Sequence, residues 1–439
     1  MHVNFLTATA TEIAHAVARK DTTAEKVAGA FIARIEELEP SVHAFSWYDP
    51  QDILRQADEI DRGERGGPFA GVPLGVKDVF DTRDIPTEFF SPIYAGNKPS
   101  RDAAVVARLR AMGAIVMGKT ATTEFAFMHT GPTRNPHDLD RTPGSSSAGS
   151  AAGVAAGFFP LALGTQTAGS LLKPASFCGA FAYKPSFGLV SMEGIKPLAP
   201  AFDTVGWFGR SVEDLALVGR ALIANFPALP SLPRLRLARF RSRRSESSDG
   251  ALRSYLEAVC GQLRSAGHVI DDLEEPVGFG LSYEDHRIVN DAQGARSLAL
   301  ERELDLDLLS EEAKAMIAHA DEVSWEAERA AQQRLSGLRN AIEPIVAAYD
   351  GVLDLSTESV APVGLLSTGP SDLIKVWSGF GFPQVSLPVQ AGPGELPFGL
   401  QLFAARYDDA RLLASASAVA RCIDATRIPP LPISPPLRT

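Results

Sequence analysis

Three stretches carry residues able to do covalent chemistry. "PGSSSAGSAAG" (143–153) holds three consecutive serines, Ser145, Ser146 and Ser147, among almost no other functional side chains. From Gly144 to Gly157, 13 of 14 residues are Gly, Ala, Ser or Thr, so a flexible tether, a tight helix-packing surface and a reactive serine all stay open. "GTQTAGS" (164–170) puts Ser170 at the end of a small-residue turn, where the backbone can approach a substrate closely. A serine nucleophile needs a base and backbone N–H groups aimed at the developing oxyanion. One lysine is a candidate for that base, with a structural ion pair to an adjacent or nearby acid as the alternative. Lys77 lies in "PLGVKDVF" between apolar residues, and burial lowers a lysine's pKa enough to make it a neutral base. The adjacent acid is Asp78. His129 and His137, the nearest histidines, read as polar loop or pocket residues, and "GSSSAG" lacks the strand–turn–helix flanks of a nucleophile elbow.

The elements that must position these residues alternate. "GVPLGVKDVFD" and "AIVMG" read as short buried strands, with a helix in "RDAAVVARLRAMG" between them. "SAAGVAAG" reads as a small-residue helix and "LALG" as the next strand. This alternation predicts an α/β fold with helices on the faces of its sheet. Before it, residues 1–65 read as amphipathic helices, with Val27, Phe31, Ile32 and Ile35 at helical spacing. Residues 66–225 form the core, and 250–350 a charged helical insertion. Residues 351–425 hold strands ("GVLDLS", "PQVSLPVQ", "LPFGLQLFA") and a closing helix, and 426–439 a Pro-rich tail that can be neither helix nor central strand. With no repeat and no long linker, 1–439 reads as one domain.

Composition excludes several function classes. The formal charge is −11, against nucleic acid or anionic membrane as a main partner. Six arginines between Arg234 and Arg244 alternate with apolar residues in "RLRLARFR", as in a strand with one solvated face. Three cysteines scattered along the chain and histidines without ligand spacing predict no disulfide framework, no metal and no cofactor. No apolar run is long enough to span a membrane, and the N-terminus lacks a signal-peptide pattern, so the expected location is the cytoplasm.

Several motifs then occur in one order: "GVPLGVKD", "PGSSSAGSAAGVAAG", "GTQTAGSLLKPASFCGAFAYKPSFGLVS", "DTVGWFGRSVEDLA", "WSGFGFPQVSLPV" and "LPFGLQLFAARYDDARLLASA". Together they resemble the amidase signature family over nearly the whole chain, least between about 230 and 350. The resemblance implies a large, mixed, mostly twisted central sheet covered by helices on both faces, and a Ser–cisSer–Lys triad. Lys77 stands at the family's lysine, Ser170 at its nucleophile and Ser146, 24 residues earlier, at its bridging serine. The peptide bond Ser145–Ser146 is then expected to be cis, with Ser145 at a position usually glycine and Ser147 a supporting neighbour. The implied chemistry is acyl transfer to Ser170, with the N–H groups of Thr167, Ala168, Gly169 and Ser170 as oxyanion hole. The expected substrate is a small-molecule amide or carbamate, with anilides and esters as further candidates, and a homodimer is expected by analogy.

Departures from the family pattern bear on substrate. Gln166 replaces an aspartate, Ala168 a glycine, and "SLLKP" stands for "SIRIP", which puts Leu172 at an arginine position with Lys173 beside it. The missing arginine argues against an acidic acyl group. Phe125, Ala126, Phe127 and Met128 in "EFAFMH", together with Gln166, Trp377, Phe380 and Phe382, are candidates to line a substrate pocket. Core packing is an equal alternative for the aromatics. Two other functions stay in view: the ammonia-supplying A subunit of a glutamine-dependent amidotransferase, and a catalytically silent scaffold. The intact Lys77, Ser146 and Ser170 speak against the scaffold, and no match for glutamine's polar end against the first. The membrane-bound and two-domain branches of the family are set aside because no N-terminal membrane segment and no further C-terminal domain are seen.

Overall fold

In the computed structural model, residues 4–389 and 395–426 are described; the Pro-rich tail expected from residue 426 falls almost wholly outside them. Eleven strands are β1 (Phe45–Trp47), β2 (Pro73–Lys77), β3 (Ile115–Thr120), β4 (Leu161–Gln166), β5 (Phe181–Lys184), β6 (Thr204–Gly209), β7 (Arg236–Arg241), β8 (Val269–Glu274), β9 (Gly351–Leu355), β10 (Gln384–Val389) and β11 (Phe398–Phe403). They form one mixed sheet in the order β1-β3-β2-β4-β6-β5-β10-β11-β9-β7-β8. The parallel trio β3-β2-β4 is fully buried, as a strand covered on both faces must be. The expected α/β architecture, with helices over a large mixed sheet, is the one observed. Among the described residues no helix is long and apolar enough to cross a membrane.

The serine run opens a packing helix. Ala148–Ala156 carries only small side chains and Val154, and all nine of its residues are buried. A Cβ on Gly149 would collide with the Ala44 carbonyl and the Ala121 nitrogen, and one on Gly153 with the Phe159 ring. The tether alternative is thereby excluded, because the segment is wedged between β1, the end of β3 and the Phe159 ring.

The charged region is helical as expected, in Ser282–Ser297, Ala299–Asp305, Glu311–Glu322 and Trp325–Val346. Ser310 and Ser324 cap the last two through the N–H groups of Ala313 and Ala327. Buried Glu301 anchors the segment to the core, accepting from the Tyr94 hydroxyl at 2.5 Å and pairing with Lys196. Two expectations need correction. Strand β8 interrupts the helices; its alternating burial places it at the sheet edge, and its acidic residues hid it. Strand β7 is present, but Arg239 is buried rather than solvated and pairs with Glu246 at 3.2 Å and with Glu257.

Candidate active site

Lys77 ends β2, and the register of β2 on β4 (Val76 opposite Leu163) carries it to Thr165. Its Nζ lies 2.6 Å from Ser146 Oγ and 2.8 Å from Thr165 Oγ1. Asp78 is not its partner, because that carboxylate pairs with Lys119 at 3.3 Å. The Lys77 side chain is fully buried, and burial lowers its pKa to about 7 against a smaller upward pull from the Asp203 charge. With a pKa of about 7, a substantial fraction of the amine is neutral near pH 7 and has a lone pair to accept a hydroxyl proton. Ser146 is reached through a cis Ser145–Ser146 peptide bond.

Ser170 stands in the turn between β4 and the helix Leu172–Cys178. Three ties hold that turn. Thr167 Oγ1 donates to Asp203 Oδ1 at 2.6 Å, and Asp203 Oδ2 accepts from the Leu198 N–H. The Ser147 N–H reaches the Ser170 carbonyl at 3.3 Å, binding the serine run to the turn. Gln166 does the rest: its Oε1 accepts from the N–H groups of Leu171 and Leu172, and its Nε2 donates to Gln384 Oε1 and Ser378 Oγ. Among the described residues, no protein acceptor takes the N–H of Thr167, Ala168, Gly169 or Ser170.

The turn forms one wall of a cavity of about 380 Å³. Ala126, Phe127 and Met128 line it, as do Ser145 and all four residues 167–170. Lys77 and Ser146 sit buried behind that wall. Five residues expected at the substrate are elsewhere. Trp377 is core, stacked on Phe403 with ring centroids 4.0 Å apart and grouped with Phe240, Phe279 and the likewise buried Phe380 and Phe382. Phe125 packs on Phe89 and Tyr94, at 6.3 and 6.0 Å. Gln166 is buried and spends its amide on the turn. His129 and His137 do not line the cavity either; they meet Glu312 and the Cys178 carbonyl.

Sequence reasoning missed the opposite wall. His286, Arg287, Asn290 and Asp291 reach the cavity from the helix Ser282–Ser297, and Asp372 and Lys375 from the helix Asp372–Gly379. The available signal was a helix whose polar residues Asp285, His286, Asn290 and Asp291 recur at helical spacing. Several wall groups are already engaged: Asp372 pairs with Lys375 at 2.6 Å and with Arg244, Arg287 pairs with Glu284, and Asp291 Oδ2 lies 2.8 Å from His319 Nδ1. Lys173 differs. Its Nζ bonds Thr368 Oγ1 and the Gly369 carbonyl, both at 3.0 Å, and burial pushes its pKa down to about 7. Among the described residues no group of three or more His, Cys, Asp or Glu could hold a metal ion.

Known proteins match this arrangement at three levels. The Amidase family model covers residues 26–413. The chain is 44% identical over 229 residues to the A subunit of glutamyl-tRNA(Gln) amidotransferase from Acidothermus cellulolyticus, covering 50% of this chain and 45% of that protein. It is 35% identical over 306 residues to the corresponding A subunit from Microcystis aeruginosa, covering 64% and 63%. The chain thus matches about half the length of the first of these curated relatives. Among solved structures, a chain from a vestigial complex bearing on the evolutionary origins of an s-triazine catabolic enzyme superposes with TM-score 0.87 at 26% identity, over 96% of this chain and 100% of that one. A peptide amidase bound to the competitive inhibitor chymostatin gives 0.82 at 26%, over 96% and 98%. With a family match over most of its length, the chain belongs to the amidase signature family.

Proposed function

We propose that the protein hydrolyses the C–N bond of small-molecule amides through a seryl acyl-enzyme. Ser146 passes a proton from Ser170 Oγ to Lys77 Nζ as Ser170 attacks the carbonyl carbon. The carbonyl oxygen becomes an oxyanion held by the N–H groups of residues 167–170. Collapse breaks the C–N bond, and the proton returns through Ser146 to the departing nitrogen. Water then attacks the ester by the same route and releases the acid. The observation that carries this mechanism is the fully buried Lys77 amine, its pKa near 7, hydrogen-bonded at 2.6 Å to Ser146. A cavity of about 380 Å³ suits a small acyl group, and carbamates and esters are accessible to the same attack. The segment 250–350 supplies the far wall and sets substrate preference.

A second function has its own support: release of ammonia from glutamine within an amidotransferase complex. The named relatives are subunits of that kind of enzyme. The leucine at position 172 and the mutually paired wall charges weigh towards the first function. Intact-mass spectrometry after mixing with a panel of amides, carbamates and glutamine separates them. The expected result is an acyl adduct on Ser170 from simple amides and none in Ser170→Ala. An adduct from glutamine alone selects the amidotransferase role, and an adduct that survives Ser170→Ala removes the nucleophile assignment.

A further inference from the structure

Three successive carbonyls of the turn are tied down, each by a different part of the chain. The Gly169 carbonyl accepts from the Lys173 N–H at 2.9 Å, which is the start of a helix. The Ala168 carbonyl accepts from Ser378 Oγ at 2.6 Å. The Thr167 carbonyl faces His286 Nε2 at 3.4 Å. The peptide units that follow these carbonyls are trans, since the cis bond recorded among the described residues is Ser145–Ser146. In a trans peptide the C=O and the next N–H lie in one plane and point in opposite directions. Fixing each carbonyl therefore fixes the aim of the N–H one residue on, at Ala168, Gly169 and Ser170.

The two side chains are held for this task. Ser378 Oγ takes a hydrogen bond from Gln166 Nε2 at 2.9 Å, which leaves its single proton for its closest acceptor, the Ala168 carbonyl. The His286 ring lies parallel to Phe202, centroids 4.3 Å apart and planes at 11°, so its plane is set by stacking. Burial keeps that ring neutral, its pKa pushed down to about 3, so it carries one N–H. A rotated Thr167–Ala168 or Ala168–Gly169 peptide would present a carbonyl where a donor is needed.

We propose that His286 and Ser378 are positioning residues for the oxyanion turn, with His286 bringing the helical segment 282–346 into the chemistry rather than into substrate contact alone. The proposal rests on Ser170 being the nucleophile. A test that needs no known substrate is the rate at which a small alkyl fluorophosphonate labels the full chain: the Ser170 Oγ–P bond forms, fluoride leaves, and the hydroxyl proton is released. Removing an oxyanion donor costs ~10²–10³ in rate, and mis-aiming one should cost about tenfold or more. Ser378→Ala and His286→Phe, which keeps the stacked ring and loses the N–H, should both slow labelling by that factor while melting close to wild type. His286→Gln should recover most of the rate. With any amide that is turned over, kcat should fall and KM stay. Folded Ser378→Ala and His286→Phe proteins labelled at the wild-type rate would overturn the proposal, and a His286→Gln protein as slow as His286→Phe would overturn the role of His286. Labelling that persists in Ser170→Ala instead sinks the nucleophile assignment on which the proposal stands.

Discussion

Two lysines sit near the ends of neighbouring parallel strands, one step out of register, and their surroundings differ. Lys77 on β2 and Lys119 on β3 are both fully buried. Lys119 Nζ meets a carboxylate, Asp78, at 3.3 Å, as well as Thr87 Oγ1 and the Phe80 carbonyl. Lys77 Nζ meets two hydroxyls. Burial lowers the pKa of both, to about 8 for Lys119, where Asp78 pulls it back up, and to about 7 for Lys77, where the opposing charge of Asp203 has no hydrogen bond to the amine. Desolvation alone makes a lysine less charged; the missing contact carboxylate leaves its lone pair free for a serine proton. One lysine fastens a loop; the other, in the proposed mechanism, exchanges a proton with Ser146.

The comparison can be broken most sharply at the amine itself. Lys77→Met should lower turnover by about 10⁴-fold or more, as Ser170→Ala should, with a melting temperature close to wild type, because its loss strands no contact carboxylate in the interior. An unfolded Lys77→Met protein would return this lysine to the structural role. Lys119→Met should do the reverse: it strands Asp78 in the interior and destabilises the protein by about 3–5 kcal/mol, while turnover per folded molecule stays within a few-fold. Denaturant melts alongside active-site titration read both quantities. The pH dependence is next. Lys77 must be neutral to accept a proton, so kcat/KM should fall about tenfold per pH unit below an apparent pKa near 7 and level off above it. A profile flat from pH 5 to 8 would contradict the assignment. The smallest effect expected is that of a chelator: EDTA should leave turnover unchanged, and a clear loss would mean a metal takes part.

The Lys77–Ser146 contact was legible in the sequence and the far cavity wall was not, for a physical reason. Lys77, Ser146 and Ser170 lie in stretches where backbone crowding restricts the choice of residue, as at Gly149, so their spacing survives as a pattern. The structure brings Lys77 and Ser146 within 2.6 Å and sets Ser170 on the adjoining cavity wall. His286 and Asp291 left no such trace, since polar residues on a helix face read as solvated until the partner helices are placed. Trp377 failed in the opposite direction: an aromatic beside glycines fits a pocket or a core equally, and only its stacking on Phe403 decides. Gln166 was placed near the substrate because its motif is, yet its amide is consumed by the turn it precedes. The fold class followed from strand–helix alternation, whereas β8, alternating and acidic at an edge, resembled its helical surroundings.

The small-residue helix Ala148–Ala156 has a bearing on engineering. Its positions tolerate almost no added volume, since even a methyl group at Gly149 or Gly153 meets neighbouring atoms head-on. A mutant library aimed at new substrates should leave Gly144, Gly149 and Gly153 unchanged, since an added Cβ there meets neighbouring atoms. Diversity belongs on the far wall, at Arg287, Asn290 and Lys375, where side chains face the cavity across from the serine and the scaffold beneath them can stay fixed.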